Sequence, residues 1–160
     1  MCIYKTRIIY NKNYLYLWKS DDNFDCFIVE NDEIVCFPTA EDYERFVKVR
    51  QWNVDDEDTV IEIISKKELL ELQTGNMLLF CKRMLELWNL AIDIKNSFPQ
   101  KSSLLDDHKF LYDKLFYGNN LESMVSDGCK YTPDFSALER RQLRAIINEM
   151  YKFFDGELEK

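Results

Sequence analysis

His108 is the only histidine in the chain, and it stands beside Asp106 and Asp107. A lone imidazole acts as a general base only when a partner orients it and a cleft presents substrate to it. Without that setting it is an exposed side chain stabilised by acidic neighbours, which is the simpler reading. One histidine also excludes a multi-histidine metal site. The five cysteines are Cys2, Cys26, Cys36, Cys81 and Cys129. Their number is odd and none form a C-x-x-C pair, which argues against a disulfide framework and a zinc site. Cys26 and Cys36 could face each other across a hairpin, but small buried thiols are the general expectation. Asp55-Asp56-Glu57-Asp58 lacks the alternating ligands and turn glycine of a calcium loop. No serine lies in a G-x-S-x-G elbow, and no phosphate-binding glycine pattern follows a strand. These residues specify no reaction, no metal and no cofactor, so the expected activity is association rather than catalysis.

Charge gives the association a sign. From Asp21 to Glu62 there are fourteen acidic residues and three basic ones, Arg45, Lys48 and Arg50. That segment carries −11, more than the −8 of the whole chain. Such a field attracts cationic partners and repels nucleic acid. The acids fall into four groups: Asp21-Asp22 with Asp25, Asp32-Glu33, Glu41-Asp42-Glu44, and Asp55 to Asp58. Trp52 precedes the last group. An aromatic ring ringed by charge suits a binding hot spot, because the ring is desolvated on contact while the charges steer approach. The expected partner-binding residues are therefore Asp21, Asp22, Trp52, Asp55, Asp56, Glu57 and Asp58. Arg140, Arg141, Arg144 and Lys152 form a basic face on the last helix, expected to be solvated or to offset the acids.

The elements that position these groups follow from pattern. Ile3 to Tyr10, Tyr14 to Lys19, Phe24 to Glu30 and Ile34 to Phe37 are aromatic and β-branched, with short polar breaks suited to hairpins. Thr39 caps a helix with Glu41 and Asp42 in its first turn. Gln51 to Asp58 reads as a loop and Thr59 to Ile64 as a strand. Ser65 and Glu68 form a capping box for a helix through Leu72. Asn76 to Ser97 is the longest helix, apolar around most of its circumference, with a narrow polar stripe of Lys82, Glu86, Asn89 and Asp93. A further helix runs from Ser103 or Leu104 to Tyr117, with Gly118 at the position after its end. Asn119 to Asp134 is a loop with one helical turn at most. Ser136 and Glu139 open a last helix to about Phe154.

Strands first and helices later predict an α+β fold, an N-terminal antiparallel β-meander packed against a helical C-terminal half. A single domain is expected over 1–160, with 1–64 mainly β with one helix and 65–160 mainly α. The first residues carry charges within their apolar run and no small-residue cleavage site, and no stretch approaches the ~18 apolar residues of a membrane span. A cytoplasmic location is the default expectation.

Tyr112-Asp113-Lys114-Leu115-Phe116-Tyr117-Gly118-Asn119-Asn120-Leu121 resembles a segment of immunity proteins from bacterial contact-dependent growth inhibition systems. So do Leu87-Trp88-Asn89 followed by Asp93 and Ser97, and Tyr131-x-Pro133 leading into the last helix. The resemblance covers roughly Leu85 to Phe154 well and the first eighty residues loosely. Where this chain has Tyr117 the family pattern has Trp, which keeps an aromatic ring. The resemblance implies a cytosolic inhibitor that neutralises the toxic C-terminal domain of a secreted effector, commonly a nuclease. Read from the residues alone, the motif is a scaffold. Leu115 and Phe116 pack, Trp88 is core, and Asn89 and Asp93 are placed to orient the loop after Gly118.

The expected function is therefore an immunity protein that occludes the active site of a basic toxin domain with an acidic surface. Two readings of other classes stand beside it. A carboxylate-only enzyme would need a buried pair of carboxyls with separated pKa values in a cleft. An adaptor would show a large exposed apolar patch instead of an acidic face.

Overall fold

Alternation of apolar and polar residues over the first twenty positions produces a long hairpin. A computed structural model describes residues 2–101, 103–125 and 128–158, with the backbone alone for Asp56, Glu57 and Asp58. Strand β1 (Cys2–Tyr10) pairs antiparallel with β2 (Lys12–Ser20) in unbroken register from Cys2↔Ser20 to Tyr10↔Lys12. Asn11 (φ 47°) closes the turn in the left-handed region that Asn tolerates. The next strand is interrupted. β3 (Asp25–Phe27) and β6 (Cys36–Phe37) both pair antiparallel with β2, opposite Trp18 to Ser20 and Leu15 to Tyr16 respectively. Between them β4 (Val29–Glu30) and β5 (Glu33–Ile34) form a separate hairpin. Asn31 and Asp32 both have positive φ, 53° and 61°, the pattern of a type I′ turn.

Helix α1 (Ala40–Arg50) follows, with Thr39 accepting the Asp42 amide and Lys48 and Arg50 in the last turn. It carries the chain from β6, beside β2, to β7 (Asp55–Glu62), which runs parallel to β1 on the other edge. The α+β expectation holds, with one parallel pair in an otherwise antiparallel sheet. The expected loop through Asp58 is corrected, because the strand begins at Asp55. Four consecutive acids are poor strand formers, so pairing with β1 overrides local propensity. The pairing is irregular. β1 advances from Tyr4 to Thr6 while β7 advances from Asp55 to Thr59, a bulge over 56–58.

One face of this sheet packs Ile3, Leu15 and Leu17 against Phe37 and Tyr43, with Phe46, Val47 and Trp52 alongside. The other face places Tyr16 edge-on to Phe27, and Tyr10 edge-on to Phe154. The Tyr16 hydroxyl donates to the Leu158 carbonyl at 3.2 Å within a π-helical turn, Phe154–Leu158. Residues 1–63, 92–102 and 153–160 make up this first compact unit, and residues 64–91 and 103–152 a second.

The second unit is helical. Helix α2 (Lys66–Gly75) starts in a complete Ser65/Glu68 capping box. Helix α3 (Met77–Asn96) buries Phe80, Cys81, Met84, Leu87, Trp88 and Ala91 in this unit and continues into the first one after Ala91. The helix expected from Ser103 to Tyr117 is split. Leu104–Asp106 is a 3₁₀ turn, and α4 (Lys109–Gly118) begins only after His108. Ser103 explains the break: its Oγ accepts the Leu105 amide, and Glu149 accepts both the Ser103 hydroxyl and the Leu104 amide. Those bonds bind the turn to α5 (Ala137–Phe153). The α5 helix opens in a Ser136/Glu139 capping box and buries Leu143, Ile146, Ile147 and Met150. Among the described residues no helix is long and apolar enough to cross a membrane.

Candidate functional site

Where β2 ends, Ser20-Asp21-Asp22-Asn23-Phe24 must reverse the chain. Asp21 does this by accepting the amides of Asn23 at 2.8 Å and Phe24 at 3.2 Å. Those two donors, Asn23 first, hold its carboxyl below the usual carboxylate range. The turn also takes Phe24 out of the strand expected for it. Phe24 is 46% exposed and follows Asp21-Asp22-Asn23 directly, with Asp25 next.

Asp55 lies at the same end of the sheet. It pairs with Tyr4, which pairs with Trp18, two residues before Ser20. Two strand spacings and two residues separate them, on the order of 10–15 Å, within reach of one partner surface. Asp21, Asp22 and Asp55 are therefore brought together. The side chains of Asp56, Glu57 and Asp58 lie outside the described residues.

Trp52 occupies a different setting. It is half-buried, edge-on to Phe46 at 5.8 Å, and joins the core under α1. The Arg50 guanidinium lies 3.5 Å above the Phe46 ring and 5.8 Å from Trp52, and it pairs with Glu30 at 2.6 Å. The ring standing clear among the acids is Phe24. Sequence reading missed it by placing Phe24 inside a strand. Its position directly after Asp21-Asp22-Asn23 was the available signal, since an Asx turn ejects the residue that ends it.

Internal pairing consumes few of the acids. Arg50 takes Glu30, and Arg45 lies 3.5 Å from Asp42. Asp22, Asp32, Glu33, Glu41, Glu44 and Glu62 are exposed, with no ion pair among the described residues. The first unit holds 18 Asp and Glu against 10 Lys and Arg, whereas the second holds 11 against 11. The chain's whole excess of −8 therefore belongs to the first unit.

Asp93 and Ser97 act where the end of α3 meets β3, within the first unit. Ser97 Oγ accepts the Phe27 amide at 2.8 Å and donates to the Asp93 carbonyl at 2.7 Å, and Asn96 donates to the Asp25 carbonyl at 3.1 Å. Burial, and then the Asp25 carboxylate, push the Asp93 carboxyl up to about 7. The buried Trp18 indole N–H pulls the other way, though it stands outside hydrogen-bond geometry. Asp93 therefore does not orient the loop after Gly118, and Asn89 accepts the Tyr112 hydroxyl at 2.9 Å on α4 instead.

That loop is held by Asn120, in the left-handed region (φ 50°). Its side chain donates to the Tyr131 carbonyl at 2.8 Å and accepts the Tyr131 amide at 2.6 Å. Gly118 is the last residue of α4 rather than a left-handed cap after it. A Cβ there would lie 2.6 Å from Cys81 Sγ and 2.9 Å from Pro133 Cδ, so its role is close approach. Trp88 is fully buried against Tyr112. Trp88, Asn89, Tyr112, Gly118 and Asn120 of the motif thus tie α3, α4 and the following loop together inside the second unit, whereas Asp93 and Ser97 belong to the first.

The remaining candidates for chemistry are quiet. Cys26 and Cys36 are free and lie at different levels along β2, opposite Lys19 and Tyr16. Burial raises both thiols, and raises Cys81 to about 11, so the three are protonated at neutral pH. His108 heads α4 without capping it by its side chain. Comparison with protein-family models, with curated proteins and with solved structures gives no match.

Proposed function

We propose that this chain is an immunity protein of the contact-dependent growth inhibition class, which meets a basic toxin domain with its first compact unit. The observation that carries this reading is the confinement of the entire net charge to that unit, with its acids mostly exposed. A toxin that cuts nucleic acid must hold phosphate with positive charge. An acidic surface fits that groove in place of the polyanion and presents no bond to cut. The Asp21–Asp25 turn supplies the contact, with Phe24 as the desolvated anchor and Asp55 extending the acidic front. Long-range attraction accelerates encounter by ~10–1000-fold and weakens with salt.

Co-expression with the toxin domain encoded beside it tests the proposal. Restored growth and a co-purifying 1:1 complex whose association slows in high salt are expected. Continued toxicity with no complex overturns the function. A salt-independent complex overturns the acidic surface as its mechanism.

A further inference from the structure

The second unit bears an apolar face of its own. Phe110, Lys114 and Tyr117 stand four and three residues apart on one side of α4. Phe110 is 68% exposed and Tyr117 55% exposed. Tyr117 continues into a cavity of about 300 Å³ that it lines with Met124, Val125, Cys129 and Tyr131. Met124 and Tyr131 are themselves 52% and 43% exposed. The charges along the stripe are already matched. Lys114 is bonded to both oxygens of Glu139 and to the Asp134 carbonyl, and Lys109 is paired with Asp113 at 2.7 Å.

We infer that this face, centred on Phe110, Tyr117, Met124 and Tyr131, is a self-association surface that joins two copies of the chain about a two-fold axis. Area supports a second copy. Aromatic side chains bury roughly 150–250 Å² each, so these fractions leave on the order of 400 Å² of apolar surface per copy. Two such faces, with the polar third that interfaces carry, amount to about 1,200 Å². That clears the roughly 1,000 Å² expected of a specific interface, at its weak end. Charge selects the same occupant. A second unit with 11 acids and 11 bases has no net field to repel its own copy or to recruit a basic partner. Contact through the first units would oppose −8 to −8.

The salt response follows. Two chains of like net charge repel at long range, and the contact itself is apolar, so salt strengthens association. This is opposite to the response expected for a basic partner on the first unit.

Sedimentation equilibrium of the full chain, from micromolar to several hundred micromolar and at low and high salt, tests the inference. A monomer–dimer equilibrium that tightens several-fold with salt is expected. Phe110→Asp and, separately, Tyr117→Ser should each weaken it by ~10-fold or more. Both residues are exposed, and unchanged circular dichroism spectra confirm that the variants fold. A chain that stays monomeric throughout overturns the inference, as does a dimer insensitive to both substitutions or one loosened by salt. None of these outcomes depends on whether a toxin is bound.

Discussion

The two compact units handle their polar residues in opposite ways. In the first, acids outnumber bases by eight and project from turns, from α1 and from an edge strand. In the second, charges balance and several polar side chains are spent internally: Lys114 on Glu139, Asn120 on Tyr131, Glu149 on Ser103. The contrast separates recognition from scaffolding. Substitutions in the buried interior of the second unit should act on stability, and those on the acidic front should act on association with little effect on folding.

Trp88→Ala carries the largest expected effect. Emptying the volume of a fully buried indole costs ~3–5 kcal/mol, read from the midpoint of urea unfolding. A loss below about 1 kcal/mol would deny the second unit a tightly packed core.

Acidity comes next and concerns the first unit. Asp93 is raised in the folded state to about 7 from 3.8, so the native chain holds a proton that the unfolded chain releases. Stability from this group is full below about pH 4 and is lost as pH rises through 7. At ~1.4 kcal/mol per pKa unit the loss reaches a few kcal/mol. Asp93→Asn should flatten the slope between about pH 4 and 7 and exceed the parent's stability at the alkaline end. Parallel curves for the two chains would show that burial and the neighbouring Asp25 carboxylate do not raise Asp93.

Gly118→Ala should cost ~1–3 kcal/mol by overpacking against Cys81 and Pro133. Removing the sulfur with Cys81→Ala should recover part of that cost, a coupling that a double-mutant cycle measures. Strict additivity would place the strain elsewhere. Ser136→Ala, which deletes one half of the α5 cap, should cost ~1 kcal/mol. The smallest stability effect belongs to the acidic front. Asp22→Asn with Glu44→Gln should shift unfolding by no more than ~0.5 kcal/mol. The same pair should slow association with a basic partner measurably in low salt. A large stability change from the pair would erase the division between the units.

What could be read from the sequence was local. The caps of α1, α2 and α5, the apolar circumference of α3 and the burial of Trp88 depend on residues within a few turns of one another. The misreadings were of two physical kinds. Asp55 to Asp58 looked like loop because a strand made of acids exists only by virtue of pairing with β1, fifty residues earlier. Leu104 to Tyr117 looked like one helix because Glu149, which ties down its first turn, lies forty-five residues later. The sequence offers Trp52, beside Asp55 to Asp58, as the aromatic anchor and reads Phe24 as part of a strand, whereas Trp52 is half-buried and Phe24 is exposed. Whether an aromatic faces core or water depends on the geometry around it, here the Asp21 bonds for Phe24 and the Phe46 ring for Trp52.

The interrupted strand beside β2 has a consequence for engineering and for divergence. β3 and β6 each hold their own register on β2, and the hairpin between them is closed by two residues with exposed side chains, Asn31 and Asp32. Peptides can therefore be grafted at that tip, or its length varied among descendants of this chain, while the sheet keeps its strand order.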